Sequence, residues 1–267
     1  MARSAAFRHR ATAPAVSTPR AITALILREM STTYGRSPGG YLWAIIEPAA
    51  GVALLTVVFS IGFHAPPLGT SFPLFYATGL LPFLMFNDIS NKLGQTIQFS
   101  RALLKYPRVT FLDAIIARLI LNSFAQILVS AIVLTFILQV LGARAHLDFG
   151  SIALAYLLVM CLAAGVGTLN AFLSLAYPLW ATVWAIVTRP LFIVSCIFFV
   201  FEAVPSPYGD VLWFNPLVHI VGLMRGGLYP FYHPGYVSVG YVLGIAAICF
   251  IAGLFLLWRH HRDILLK

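Results

Sequence analysis

Four polar residues recur at every fourth position through an otherwise apolar stretch: Arg118, Asn122, Gln126 and Ser130. On a helix that spacing winds slowly along one face. Such a stripe either hydrogen-bonds to neighbouring helices or lines a polar path for a substrate, because unpaired polar groups in hydrocarbon are costly. Spacing leaves both readings open. Catalytic chemistry is harder to find. The carboxylates Glu29, Glu47, Asp88, Asp113, Asp148, Glu202, Asp210 and Asp263 are scattered, with no pair spaced for acid–base work. None of the lysines follows a glycine, so the Gly-x-x-x-x-Gly-Lys loop that cradles nucleotide phosphates is missing. His260, His261, Arg262 and Asp263 adjoin in a basic tail beyond the last apolar run, where an interfacial anchor explains them better than a metal. Cys161, Cys196 and Cys249 lack the paired spacing of a metal site and read as small packing residues. We therefore expect no catalytic residues, no metal and no cofactor in this chain.

The elements that must hold these residues are set by composition. Of 267 residues 60% are apolar and 9% charged, with a mean hydropathy of +0.91. A soluble domain would carry roughly 25% charge. Apolar runs at 42–63, 72–90, 111–141, 151–175, 181–204 and 236–258 approach or exceed the ~20 residues that cross a bilayer. The expected fold is all-α and polytopic, with six transmembrane helices. Arg3, Arg8, Arg10, Arg20, Arg28 and Arg36 precede the first run, Lys92, Arg101, Lys105 and Arg108 follow the second, and Arg259, Arg262 and Lys267 follow the last. This bias places both termini in the cytoplasm. It also accounts for the net charge of +9 without a nucleic-acid partner. The first apolar run begins far behind the leading arginines, so no cleavable signal peptide is expected.

Residues 1–17 form a basic tail too polar to bury anything, read as disordered. Thr18-Pro19 then starts a helix, in which Ile22, Leu25, Ile26 and Met30 share an apolar face short of a span. Periodicity alone makes 18–35 an interface helix, a membrane anchor. The stretch 91–113 mixes basic residues with Leu103, Leu104 and Tyr106, which settle into lipid headgroups or dock on a cytoplasmic partner. Arg189-Pro190 lies deep in the membrane if the fifth span starts at Ala181. It lies at headgroup level if residues 178–188 form a tilted helix that breaks at the proline, which we prefer. "VLWFNPLVHIVGLMRGGLYP" (211–230) is too apolar for a wet loop and too interrupted for a span. Pro216 starts a short helix and Gly226-Gly227 end one, so two short re-entrant helices are expected between spans five and six.

Three stretches together resemble a family. "LREMSTTYGRSPGGYLWAIIEP" (27–48) resembles the entry of type-2 ABC export permeases, where an interface helix turns at Arg-Ser-x-x-Gly into the first span. "SFPLFYATGLLPFLMFNDIS" (71–90), followed by "ALLKYPRVTFLDAIIAR" (102–118), and "NPLVHIVGLMRGGLYP" (215–230) are similar to its capsular-polysaccharide branch, the KpsM/BexB type. The resemblance runs from about residue 20 to the C-terminus. It implies that residues 36–267 are the six-span transmembrane domain of a permease in a bacterial inner membrane, working with a second copy of itself. Two copies of a separate cytoplasmic ATPase, which binds the ATP and Mg, would drive export of a lipid-linked polysaccharide. Periplasmic and outer-membrane components would carry it onward, and membrane lipids surround it.

The resemblance also assigns roles. Arg28, Glu29, Arg101, Leu104, Lys105, Tyr106 and Arg108 become candidates for docking the ATPase. Trp213, Asn215, Pro216, Arg225, Gly226 and Gly227 become a periplasmic gate. Arg36 is the first candidate to meet a phosphate headgroup, since guanidinium grips phosphate bidentately. Arg118, Asn122, Gln126 and Arg189 are further candidates along the path. Trp43, Trp184 and Trp213 offer sugar-stacking faces or belt anchors. "AYPLWATVW" (176–184) lacks the Arg-Asp pair that many relatives carry there, which puts the second ATPase contact in doubt. O-antigen, teichoic-acid, drug or lipid export are alternatives. A secondary transporter using Glu47 or Asp113 is a remoter one.

Overall fold

The computed structural model describes residues 18–33, 40–104 and 110–260. Among these the regular structure is helical: α1 (Thr18–Thr33), α2 (Gly40–Gly62), α3 (Phe72–Gly94), α4 (Thr96–Leu104), α5 (Phe111–Gln139), α6 (Phe149–Ala176), α7 (Trp180–Ile193), α8 (Tyr208–Trp213), α9 (Pro216–Leu228) and α10 (Val239–Arg259). Among the described residues five helices are long and apolar enough to cross a membrane: Leu42–Gly62 of α2, then α3, α5, α6 and α10.

Two of these form the centre. α3 is the most buried, packed by α2, α5, α6 and α9, and α6 carries α10 on its other side. Without water to drive helices together, contact here depends on close approach. Glycines supply it where α6 meets α10. A methyl at Gly165 would lie 2.3 Å from the Ala246 carbonyl oxygen, and one at Gly253 would lie 2.6 Å from the Leu169 nitrogen.

The helix starts are written locally. Thr110 and Asp113 form a reciprocal capping box at α5: the Thr110 N–H donates to the Asp113 carboxylate at 3.0 Å, and the Asp113 N–H donates to the Thr110 hydroxyl oxygen at 3.2 Å. Asp113 is thereby a cap, which leaves no need for the proton-carrier reading. Asp148 caps α6, and its carboxyl is held below its usual range by the Ser151 hydroxyl and then the Gly150 N–H.

Two expectations need correction. The fifth span, expected over 181–204, is instead the 14-residue helix α7 followed by irregular backbone. At 1.5 Å per residue α7 reaches only about 21 Å, short of the ~30 Å hydrocarbon core. Nor does the helix break at Pro190: it runs through the proline and stops after Ile193, where the Ser195 hydroxyl and the Val194 N–H take up its last carbonyls. The chain then passes Cys196 in the left-handed region, φ 57°, and makes a 3-10 turn at Phe201–Ala203.

The apolar face of α1 is also rotated from its expected position. Ala21, Leu25 and Glu29 are the buried row, packed on α5, while Met30 is exposed. The buried carboxylate turns the helix, for a reason that lies at Arg118.

Candidate transport surface

The residues expected to gate and line a path fall into three places. At one end of the bundle, α9 slots between α3 and α6 with Leu217, Ile220, Val221 and Met224 fully buried. Pro216 occupies its first turn, Asn215 caps it by accepting from the Leu217 N–H at 3.0 Å, and it ends one residue past Gly226-Gly227. The two expected short helices are thus present as α8 and α9. The tail of α9 crosses its neighbours closely: a methyl on Gly227 would meet the Ile152 side chain at 2.8 Å, and one on Gly226 the Pro234 ring at 3.3 Å.

The polar residues of this segment serve the irregular stretch after α7. Arg225, fully buried, donates from Nη1 to the Phe199 carbonyl at 2.8 Å and from Nη2 to the Ile197 carbonyl at 3.1 Å, with its guanidinium 4.2 Å over the Phe75 ring. Asn215 donates to the Val194 carbonyl at 3.1 Å and the Ser195 hydroxyl at 3.2 Å. Irregular backbone survives in an apolar interior only if its carbonyls find donors. α9 supplies those donors. His219 is locked beside it: Nδ1 accepts from the Ser238 N–H at 3.2 Å, which leaves Nε2–H to donate to the Trp213 carbonyl at 2.8 Å, the pattern of a neutral ring. The Trp213 indole N–H in turn donates to the Tyr236 carbonyl at 3.1 Å.

At the opposite end sits Arg118. Its Nε lies 2.8 Å from the Glu29 carboxylate, its Nη1 donates to the Lys92 carbonyl at 2.6 Å, and its guanidinium stands 4.3 Å over the Phe99 ring. Arg28 lies over the same ring at 5.3 Å. Asn122 donates to the Arg118 carbonyl at 2.8 Å and is buried, as is Ser130, while Gln126 is half-buried. The stripe therefore faces protein along most of its length. Glu29, expected among the docking residues, is turned inward to Arg118 rather than outward. α4 carries Arg101 and Leu104 in its last turn. Arg36, Lys105, Tyr106 and Arg108 lie outside the described residues.

The third place is a groove of about 390 Å³ between α3 and α7, lined by Phe83, Asn87, Asn91, Ala185, Thr188, Arg189 and Phe192. The Asn91 amide donates to the Asn87 side-chain oxygen at 2.8 Å, which fixes both carboxamides one turn apart. Phe83 and Phe192 meet edge to face, centroids 5.1 Å apart. Arg189 is exposed and has no ion pair among the described residues. Sequence reasoning found the arginine but missed Asn87 and Asn91, although two asparagines at i and i+4 near the end of an apolar run were a readable signal. Trp184 is half-buried on the same helix, and Trp43 stands exposed on α2.

A bundle of membrane-length helices around a broken segment whose carbonyls are met from α9 is the body of a polytopic membrane protein. The ABC-2 type transporter family matches residues 20–229. The chain belongs to that family. It is 34% identical over 249 residues to the polysialic acid transport protein KpsM of Escherichia coli, covering 92% of this chain and 95% of the relative. It is 25% identical over 246 residues to the capsule polysaccharide export inner-membrane protein CtrC of Neisseria meningitidis, 92% of each chain. It is also 26% identical over 230 residues to the capsule polysaccharide export inner-membrane protein BexB of Haemophilus influenzae, 84% of each.

Proposed function

We propose that this chain is the permease subunit of an ATP-driven exporter that carries lipid-linked capsular polysaccharide across a bacterial inner membrane. The observation that carries the reading is its likeness, over nearly its whole length, to relatives named for that transport. The α3–α7 groove gives the reading a physical site. An exposed guanidinium on an apolar helix, with no ion pair among the described residues, suits a place where an anion is met. Arg189 takes the phosphate of the lipid anchor, the two asparagines take sugar hydroxyls, and Phe83 with Phe192 floor the groove. Arg36, at the mouth of the first span, meets the same headgroup earlier.

Both termini face the cytoplasm in this reading, following the basic residues. The α1–α4 end therefore meets the separate ATPase, and the α9 end faces the periplasm, toward the components that continue the route. Two copies of the chain work together. α7 leans only lightly on its own bundle, against α6, and leaves Val183, Ile186 and Val187 exposed for a second copy.

Deleting the gene tests the reading directly. Polysaccharide should accumulate inside the cell with none on the surface. A normal surface coat would retire the capsular substrate and leave export of another lipid-linked glycan, or of a smaller lipid or drug. Affinity capture of the tagged chain from solubilised membranes should bring down a nucleotide-binding subunit. Capture without one would retire the ATP-driven mechanism.

A further inference from the structure

We propose that the Arg118–Phe99 junction is the joint through which movement of α1 and α4 is passed to the membrane helix α5. This rests on the reading of the chain as a permease driven from its α1–α4 end by a separate ATPase. One side chain on α5 joins α1, the end of α3 and α4. The Arg118 guanidinium, rooted in α5, meets the Glu29 carboxylate of α1 at 2.8 Å, the Lys92 carbonyl at the end of α3 at 2.6 Å, and the Phe99 ring of α4 at 4.3 Å. Arg28 closes the circle from α1 to α4, lying 5.3 Å over the same ring. α1 and α4 thus meet α5 and each other at Arg118, beside the packing of Ala21 and Leu25 on α5.

The attachments differ in kind, and that difference suits a joint. The carbonyl bond is directional and short, so it fixes Arg118 relative to α3, whereas the Glu29 carboxylate holds α1 by charge, 2.8 Å from an Nε that makes no aligned hydrogen bond. A cation over a ring face has no single bond direction and tolerates sliding. α4 can therefore shift against Arg118 while contact persists. Arg118 and Glu29 are both buried, so water and salt weaken their attraction less than at a surface. Pulling α1 loads α5 through Glu29, and pushing α4 loads it through Phe99. A simple staple would give different behaviour, because weakening it would lower stability, hydrolysis and transport together.

The ring is the part to change, since Phe99 is partly exposed and a leucine or methionine keeps apolar volume there. Phe99→Leu, Phe99→Met and Phe99→Tyr are compared with the wild type in the co-purified complex with its ATPase, in lipid nanodiscs, and in cells at matched membrane abundance. Phe99→Leu and Phe99→Met are expected to keep ATP hydrolysis within about twofold of wild type while surface polysaccharide falls about fivefold. Phe99→Tyr keeps a ring face and is expected to retain both. If hydrolysis and export fall by the same factor, or if export is unchanged without the ring, the junction is a staple and the proposal is overturned. Should the wild-type chain capture no ATPase, the functional reading fails first, before any variant is made, and the joint falls with it.

Discussion

Arg118, Arg225 and Arg189 sit in apolar helices, and each meets different surroundings. Arg118 has a carboxylate, Arg225 has two backbone carbonyls and a phenyl face, and Arg189 has an open groove. The consequences of removing them differ accordingly. Arg225→Met should leave the Ile197 and Phe199 carbonyls without donors, at about 1–3 kcal/mol each. The thermal midpoint of the purified protein and its membrane abundance should both drop. Arg189→Ala breaks no hydrogen bond or ion pair among the described residues, so abundance should stay at the wild-type level. Surface polysaccharide should fall about tenfold, the loss of one charge-assisted hydrogen bond. A normal surface coat in the Arg189→Ala strain would take the groove out of the transport path.

At the scale of the helix, the close crossing of α6 and α10 is the most sensitive seam. Gly165→Leu would drive a side chain into the Ala246 backbone, where nothing flexible can yield. We expect the variant to be lost from the membrane fraction, whereas Gly244→Leu, with nothing within 4 Å of its added Cβ, should accumulate normally. The same scale shows what the sequence could and could not say. The five long helices follow from the length of their apolar runs, and α9 follows from Asn-Pro at one end and Gly-Gly at the other. α7 was overextended because 194–204 is as apolar as a span, and hydropathy counts side chains without asking what the backbone does. The jobs of Asn215 and Arg225 were hidden for a related reason: their partners are carbonyls some twenty to twenty-eight positions earlier, which carry no side-chain signature. The buried face of α1 was misplaced because an apolar count gives no weight to Glu29, whose burial is decided by a charge far along the chain.

For the whole molecule, the apolar surface is unevenly committed. α3 is enclosed, whereas α2, α7 and α10 expose wide apolar faces, including Ile61, Ile186 and Ile251. Lipid can cover all of them, but α7 is the one with the least support from its own chain. A cysteine at Ile186 should therefore form an oxidant-dependent cross-link between two copies in native membranes, seen as a dimer band on a non-reducing gel. A cysteine at Ile251 on α10 should not. The reverse result would move the partner to the α10 side and separate the groove from the interface.

The dependence of 194–200 on donors from α9 also bears on how relatives of this chain could be recombined. The two stretches behave as one inseparable unit that happens to be written in two pieces. A hybrid that borrows the segment after α7 from a relative while keeping its own α9 would inherit carbonyls aimed at the wrong donors. One that borrows 194–228 as a block would carry lock and key together.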